Sequence, residues 1–176
     1  MEFLPLGLKQ LIYREWEVQE QRLRIRNKRL FKQSVEYNNV EQLLTVLDLV
    51  KVKKRAVLWA TANDSYECLE LLIQKGYPKH DKATLLAAEY GLTNCLKLLL
   101  DNDFPVHPDA LIVASKYGHA ECVKLLMNRC TINHNYALSC ALAKQHDECI
   151  RLLDINLFHQ KRDLMGLRSM LMLSTD

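Results

Sequence analysis

A repeat of 27 residues constrains the fold of this chain more than any other feature of its sequence. Four cysteines, Cys68, Cys95, Cys122 and Cys149, stand 27 residues apart. The same step connects further ladders of identical residues: Ala56, Ala83, Ala110 and Ala137; Ala60, Ala87, Ala114 and Ala141; Leu71-Leu72, Leu98-Leu99, Leu125-Leu126 and Leu152-Leu153; and His80, His107 and His134. A less regular copy, offset by 26, begins at residue 30. Self-similarity at a fixed period predicts stacked copies of one structural unit.

Each copy has the pattern of two short helices. In the copy that begins near residue 110, the first helix is predicted over residues 110–117, ends at Gly118, and is followed by a second over residues 120–128. Only 9 of the 176 residues are Gly or Pro, whereas 33 are Leu, a composition that favours helices joined by short loops. Helices this short need neighbouring copies to bury their apolar faces.

Residues 117–126, Tyr-Gly-His-Ala-Glu-Cys-Val-Lys-Leu-Leu, resemble the signature of ankyrin repeats. Residues 87–91 and 40–44 resemble other parts of the same signature, and the loops at 76–80 and 103–107 resemble a short variant with little β-hairpin. The resemblance covers residues 30–157. It implies an all-α, ankyrin-like helix-turn-helix solenoid of about five repeats that binds other proteins.

This interpretation divides the chain into three parts. A basic, amphipathic helix within residues 1–29 is predicted to cap the array through an apolar stripe: Leu8, Leu11, Ile12, Trp16, Val18 or Gln19, and Leu23. The repeats are expected over about 30–55, 56–82, 83–109, 110–136 and 137–157, and a C-terminal cap over 158–176. Four apolar residues of that last segment lie off its capping face and are predicted to dock onto another molecule: Met165, Met170, Met172 and Leu173.

The sequence departs from the ankyrin pattern in two respects. The usual Thr-Pro-Leu-His is replaced by residues 82–85, Lys-Ala-Thr-Leu, and by residues 109–112, Asp-Ala-Leu-Ile, so we expect the histidine that joins loops in the family to be lost. The period is 27 rather than about 33. We therefore expect any binding surface to lie on helices and short loops.

In ankyrin arrays, the two residues before each inter-helix turn face the concave surface and vary with the partner. The resemblance therefore implies a partner-binding strip, in which three tyrosines would supply contact area at low entropic cost. Alternatively, these tyrosines only cover helix ends. The predicted strip comprises Tyr37, Asn63, Glu89, Tyr90, Lys116, Tyr117 and Lys144.

Positive charge is concentrated near the N-terminus. Residues 22–55 contain 10 basic and 3 acidic side chains, although the whole chain has a net charge of only +3. This segment is interpreted either as a solvated helix face with a charged loop, or as a docking site for an acidic protein. Nucleic acid is disfavoured because no aromatic residues are interleaved with the charge. The basic residues are Arg22, Arg24, Arg26, Lys28, Arg29, Lys32, Lys51, Lys53, Lys54 and Arg55.

The cysteine and histidine ladders do not predict a metal site, a cofactor or disulfides. Equivalent positions in stacked helices are about 8–10 Å apart, whereas a disulfide needs Cα atoms within about 7 Å. The four ladder cysteines are therefore expected to pack in the core, and the six unpaired thiols favour a reducing compartment. His80, His107 and His134 are expected in inter-repeat loops, where they would bond to backbone groups.

The sequence contains none of the common catalytic motifs that are rich in Gly, Ser or His. We therefore predict a non-enzymatic protein-interaction module without a small-molecule substrate or a membrane-inserted segment. The favoured role is a structural or scaffold subunit of a larger intracellular, cytoplasmic assembly, such as a cytoskeletal or organellar complex. The alternatives are a free adaptor or effector that grips a soluble partner, and a regulator that docks an acidic partner or nucleic acid through the basic region.

Overall fold

The computed structural model describes residues 5–50, 53–130 and 133–154, which form helices and loops without a β-strand. The helix bounds are α1 (Leu6–Glu36), α2 (Val40–Val46), α3 (Lys53–Ala62), α4 (Tyr66–Gln74), α5 (Asp81–Glu89), α6 (Thr93–Asp101), α7 (Ala110–Tyr117), α8 (Ala120–Met127) and α9 (His134–Lys144). Residues 147–154 are also helical and are called α10. The all-α repeat fold predicted from the sequence is confirmed.

The chain divides into two compact units, Met1–Pro78 and Lys79–Asp176. In the first unit, α1 packs against α2 and α3, α4 packs against both α2 and α3, and the contact is filled by buried Phe31, Val35 and Leu43.

In the second unit the first helices of successive pairs, α5, α7 and α9, pack side by side. Their facing positions are fully buried alanines, including Ala87, Ala114 and Ala141. Because the distance between packed helices depends on the side chains at the contact, these alanines allow close approach. The second helices α6 and α8 also pack together, and Cys95, Cys122, Leu99 and Leu126 are buried along them.

One residue in the turn between the two helices of each pair has a positive φ. The φ values are 51° at Asn38, 53° at Asp64, 69° at Gly91, 79° at Gly118 and 59° at Gln145. These positions recur at intervals of 26 or 27 residues, in register with the sequence repeat. The helix breaks predicted at Gly91 and Gly118 are confirmed, and Asn, Asp and Gln adopt the same left-handed conformation in the other copies.

The N-terminal helix differs from its prediction. Instead of a separate cap that ends at residue 29, α1 runs without a break to Glu36 and so includes the first helix of the first repeat. The sequence contains no Gly or Pro between residues 8 and 36 that would interrupt it.

The predicted apolar stripe of α1 does not pack on the repeats, so its predicted capping contact is wrong. From residue 7 to residue 26 every side chain is exposed except those of Lys9 and Glu20, which are half-buried. Burial against α2 and α3 begins only at Asn27 and Phe31, because the helix extends past the ends of its neighbours. We call residues 6–26 the α1 arm.

The predicted C-terminal cap at 158–176 lies outside the described residues, as do Met165, Met170, Met172 and Leu173, and its role stays a prediction. The repeat boundaries derived from the sequence also stay predictions. Among the described helices, none combines the length and the apolar character needed to cross a bilayer.

A candidate protein-binding strip at the helix ends

The second unit presents aromatic and charged side chains where its first helices end. Tyr90 directly follows α5, Tyr117 is the last residue of α7, and Lys144 is the last residue of α9. Tyr90 is 56% exposed and Tyr117 is 48% exposed, so neither ring is part of the core. With Glu89 and Lys116, these residues form what we call the tyrosine strip.

The side chains around Tyr117 are ordered by contacts with one another. The Lys116 Nζ lies 5.5 Å from the centroid of the Tyr117 ring, within the range of a cation–π interaction. The His119 ring centroid is 6.4 Å from that of Tyr117. The strip therefore offers a partner an exposed ring with a positive charge held beside it.

In the first unit, the two predicted strip residues, Tyr37 and Asn63, differ in the contacts that their side chains already make. Tyr37 follows α1 and is 75% exposed. Asn63 is also exposed, but its side-chain Nδ2 donates a hydrogen bond to the Trp59 carbonyl at 2.8 Å. Asn63 is thus partly engaged in ending its own helix α3.

Two histidines form hydrogen bonds between successive repeats at the backbone of the strip residues. The Nε2 of His119 lies 3.0 Å from the Glu89 carbonyl oxygen, and the Nε2 of His146 lies 3.1 Å from the Lys116 carbonyl oxygen. Because a carbonyl only accepts, each Nε2 carries the hydrogen and donates it. Both bonds reach back 30 residues, from the start of one second helix to the end of the preceding first helix.

The first unit contains the equivalent bond with a different side chain. The Ser65 hydroxyl donates to the Val35 carbonyl, again 30 residues earlier. We call the bonds of Ser65, His119 and His146 the inter-repeat ties. A second polar contact lies nearby, since the Asn38 Oδ1 accepts a hydrogen bond from the Cys68 backbone N–H at 3.1 Å.

The histidine ties explain why glycine occupies two of the turns. A Cβ added to Gly91 would lie 2.5 Å from the His119 Nδ1, and one added to Gly118 would lie 2.7 Å from the His146 Nδ1. Each imidazole therefore packs directly on a glycine backbone. The ties hold in place the carbonyl ends of α5 and α7, from which Tyr90 and Tyr117 project.

The ladder cysteines are buried, as the sequence predicted. Cys68, Cys95, Cys122 and Cys149 are all buried, and no disulfide joins any of the six cysteines. Burial raises the pKa of the Cys68 thiol to about 11, with a smaller contribution from the Glu67 carboxylate. Burial also raises the pKa of the Cys122 and Cys149 thiols. These groups stay protonated near neutral pH and so are poor nucleophiles and metal ligands.

No cluster of three or more potential metal ligands occurs within the part of the chain that the structure describes.

A family model described as ankyrin repeats in three copies matches residues 84–161. This match falls on the same helix pairs that carry the tyrosine strip and the histidine ties. Residues 84–161 are ankyrin repeats. Comparison with curated protein sequences gives no match. Ankyrin repeats are protein–protein interaction modules and are generally not enzymes, so this part of the chain is an interaction module.

The ankyrin repeats of this chain keep bonds between their loops, although the histidine of Thr-Pro-Leu-His is missing from residues 82–85 and 109–112. The Thr84 hydroxyl donates to the Asp81 and Pro105 carbonyls and accepts a hydrogen bond from the His107 backbone N–H at 3.0 Å. Thr84 thus bonds the loops although the usual Thr-Pro-Leu-His is missing, and the sequence analysis did not predict the ties of His119 and His146. The signal was present in the sequence, since His119 and His146 are also 27 residues apart.

The histidines predicted to bind loop backbone do so in two cases. The His107 Nδ1 accepts a hydrogen bond from the Asp109 N–H, and the His134 Nε2 donates to the Met127 carbonyl. His80 instead pairs with the adjacent Asp81 carboxylate at 3.2 Å. All three are contacts within one loop region rather than ties between the helix pairs.

The basic residues lie outside the matched ankyrin repeats, and those of α1 are distributed around the helix. Arg22, Arg26 and Arg29 lie on one side, at helical spacing. Arg24 forms an ion pair with Glu20 at 2.6 Å, and the Lys32 Nζ lies 5.0 Å from the Trp59 ring. Lys28 and Arg55 are exposed. Lys51 and the side chains of Lys53 and Lys54 are outside the described residues.

Proposed function

We propose that this chain is a non-enzymatic structural or scaffold subunit of an intracellular assembly, which binds a protein partner through the tyrosine strip. The observation that carries the proposal is the pair of exposed rings, Tyr90 and Tyr117, at equivalent ends of successive ankyrin helices. Because about half of each ring is exposed, contact with a partner protein would account for both.

The chemistry of the strip favours a particular kind of partner surface. Tyr90 and Tyr117 supply large rings with polar tips, at little cost in side-chain entropy. Lys116 and Lys144 are exposed at the α7 and α9 end, whereas Glu89 lies at the α5 end. A complementary partner has apolar or proline-rich side chains flanked by acidic groups opposite Lys116 and Lys144.

The α1 arm supports a scaffold rather than a free adaptor. It carries eight large apolar side chains that are exposed: Leu8, Leu11, Ile12, Tyr13, Trp16, Val18, Leu23 and Ile25. Apolar surface of this extent marks an interaction site. A chain with one contact surface on its repeats and another on the arm can join two molecules, as a subunit does. The lack of a disulfide among the six cysteines favours the reducing interior of a cell.

The test compares proteins captured from a lysate of the source cells by tagged forms of the chain. We expect Tyr90→Ala combined with Tyr117→Ala to lose proteins that the wild type retains, because the two rings are the centre of the contact. The matched control is Tyr136→Ala, since Tyr136 is equally exposed but lies at the opposite end of its helix α9. Equal capture by the double variant and the control would reject the strip as the binding site.

A second capture distinguishes the scaffold from the free adaptor. Deletion of residues 1–24 removes most of the arm but leaves the tyrosine strip intact. If the chain is a scaffold subunit, this deletion releases it from its native complex while the strip still binds its partner. A free adaptor would keep all of its partners after the deletion.

A further inference from the structure

The α1 arm has the geometry of one half of an antiparallel helix pair, and we infer that its partner is the same arm of a second copy of this chain. The inference rests on the proposed role of the arm as a contact surface and is independent of the tyrosine strip. The arm contains 21 residues, or about 31 Å of helix.

The arm has a shallow, open hollow in its C-terminal half. It is lined by Gln19, Arg22, Leu23 and Arg26, which are spaced i, i+3, i+4 and i+7. Four residues at that spacing form the hole that receives one side chain of a facing helix in a coiled coil. A side chain of a facing helix can therefore be placed in this hollow.

The apolar residues that continue the line of this hollow toward the N-terminus are Ile12 and Trp16, which are 39% and 63% exposed. In an antiparallel pair, the register that inserts Ile12 of the second copy beside Leu23 also sets Trp16 against Gln19. Two-fold symmetry repeats both contacts. At its two ends this register sets Lys9 of each copy beside Arg26 of the other, a like-charge contact that opposes pairing there.

The charges that flank the middle of the contact favour pairing of the arm with itself in this orientation. Glu15 flanks the contact in the N-terminal half and Arg22 flanks it in the C-terminal half, so the register above brings Glu15 of each copy next to Arg22 of the other. Both side chains lean toward the N-terminus of their own helix, and in an antiparallel pair they lean toward each other. A parallel pair would instead bring Glu15 next to Glu20 of the other copy, and like charges at these positions disfavour it.

The charges also select this face of the arm over the adjacent one. A second apolar row, Leu11, Val18 and Ile25, lies beside it. A contact centred on that row would enclose Glu15 and Arg22 in its middle, where removing charges from water is costly.

The length of the paired segment is limited by the repeats, against which α1 packs further along the helix. Leu8 of the second copy reaches the level of Asn27, where burial against the repeats begins.

The experiment is a charge exchange in the full-length chain, with the dimer dissociation constant measured by sedimentation equilibrium. We expect the wild type to dimerise. Glu15→Arg alone and Arg22→Glu alone should each weaken the dimer by roughly tenfold or more, because both symmetric pairs become repulsive. The double variant should dimerise again. An equimolar mixture of the two single variants should form a heterodimer, since every pair in it is of opposite charge.

Matched controls make the same charge changes on the other side of the helix. Glu17→Arg and Lys28→Glu should leave the dissociation constant unchanged, and circular dichroism should show equal helix content in every variant. A wild-type chain that stays monomeric at about 100 μM would overturn the inference. A dimer that ignores the single exchanges, or a mixture that fails to associate, would overturn it as well.

The outcome for the proposed function is separate. If the chain is monomeric but Leu23→Asp releases a protein captured from the lysate, the arm binds a different partner. That result rejects self-pairing and leaves the scaffold role in place. If self-pairing holds while the tyrosine-strip variants capture the same proteins as the wild type, the inference stands and the proposed binding site is rejected.

Discussion

At the residue scale, Gly91 and Gly118 each meet two requirements. Each has a positive φ, 69° and 79°, which costs a residue with a side chain about 1–2 kcal/mol. Each also leaves space for an imidazole from the next repeat. Both requirements concern the Cβ that glycine lacks. A Cβ would be strained at this φ, and it would occupy the space that the histidine ring fills.

We expect Gly91→Ala to lower the free energy of unfolding by about 2–4 kcal/mol, the sum of the φ cost and the displacement of the His119 ring. Urea titration followed by circular dichroism measures it. Gly76→Ala is the control, because Gly76 has a similar φ of 71° but nothing within 4 Å of an added Cβ. Equal losses in the two variants would show that the contact between glycine and histidine has no energetic weight.

Because of the buried thiols, the free energy of unfolding depends on pH in the alkaline range. An unfolded cysteine ionises near pH 9, whereas burial raises the pKa of Cys68 to about 11. Between these values the unfolded chain loses a proton that the folded chain keeps, so stability falls as pH rises through this interval.

We expect the contribution of Cys68 to the free energy of unfolding to be lower by about 1 kcal/mol at pH 10 than at pH 8. Urea titrations of the wild type and of Cys68→Ala at both pH values measure it. The variant should lose less stability than the wild type over this range. The same decline in both proteins would show that the Cys68 thiol ionises in the folded state.

At the element scale, the inter-repeat ties fix each second helix to the first helix of the preceding pair. His119→Ala removes one donor and leaves the Glu89 carbonyl without it, so we expect the free energy of unfolding to fall by about 1 kcal/mol. His80→Ala is the control, because the His80 ring pairs with the adjacent Asp81 and not with a carbonyl of the preceding repeat. The midpoint of urea unfolding distinguishes the two, and a shift of the same size in the control would contradict the tie.

The α1 arm should contribute little to the stability of the repeats. Because its side chains are exposed up to Arg26, we expect deletion of residues 1–24 to change the free energy of unfolding by less than about 0.5 kcal/mol. The measurement is made at a dilution at which both forms are monomeric. A large loss would restore the capping role that the sequence suggested for this helix.

The sequence predicted the elements better than their surroundings. The 27-residue period located the helix pairs, the turns at Gly91 and Gly118, and the burial of the cysteine ladder, because each follows from a local pattern repeated several times. The stripe at Leu8, Ile12 and Trp16 identified an apolar face but not what covers it. That depends on where α2 and α3 end, which no local pattern in α1 records.

The candidate site was only partly predictable for a related reason. The positions of Tyr90 and Tyr117 at helix ends follow from the repeat register. The ties of His119 and His146 depend on a carbonyl 30 residues earlier, a contact that becomes visible only when two repeats are stacked.

At the scale of the whole molecule, the proposed contacts of the tyrosine strip and the α1 arm together predict how many copies of each protein the complex contains. If each chain binds one partner at its strip and pairs with one other chain through its arm, the assembly contains two copies of each protein. We expect the mass of the purified complex, measured by light scattering, to correspond to two chains and two partners. Glu15→Arg should halve that mass without changing affinity for the partner. A wild-type complex of one chain and one partner would contradict this composition.

The continuity of α1 has a mechanical consequence. One uninterrupted helix leads from the exposed tip into the core around Phe31 and Val35, with no glycine or proline after Gly7 to act as a hinge. Residues 6–26 therefore form a lever about 31 Å long, fixed at the end where α1 enters the core. A pull on its tip is delivered as torque to α2 and α3, so tension between two joined molecules would strain the first repeat before any other part of its unit.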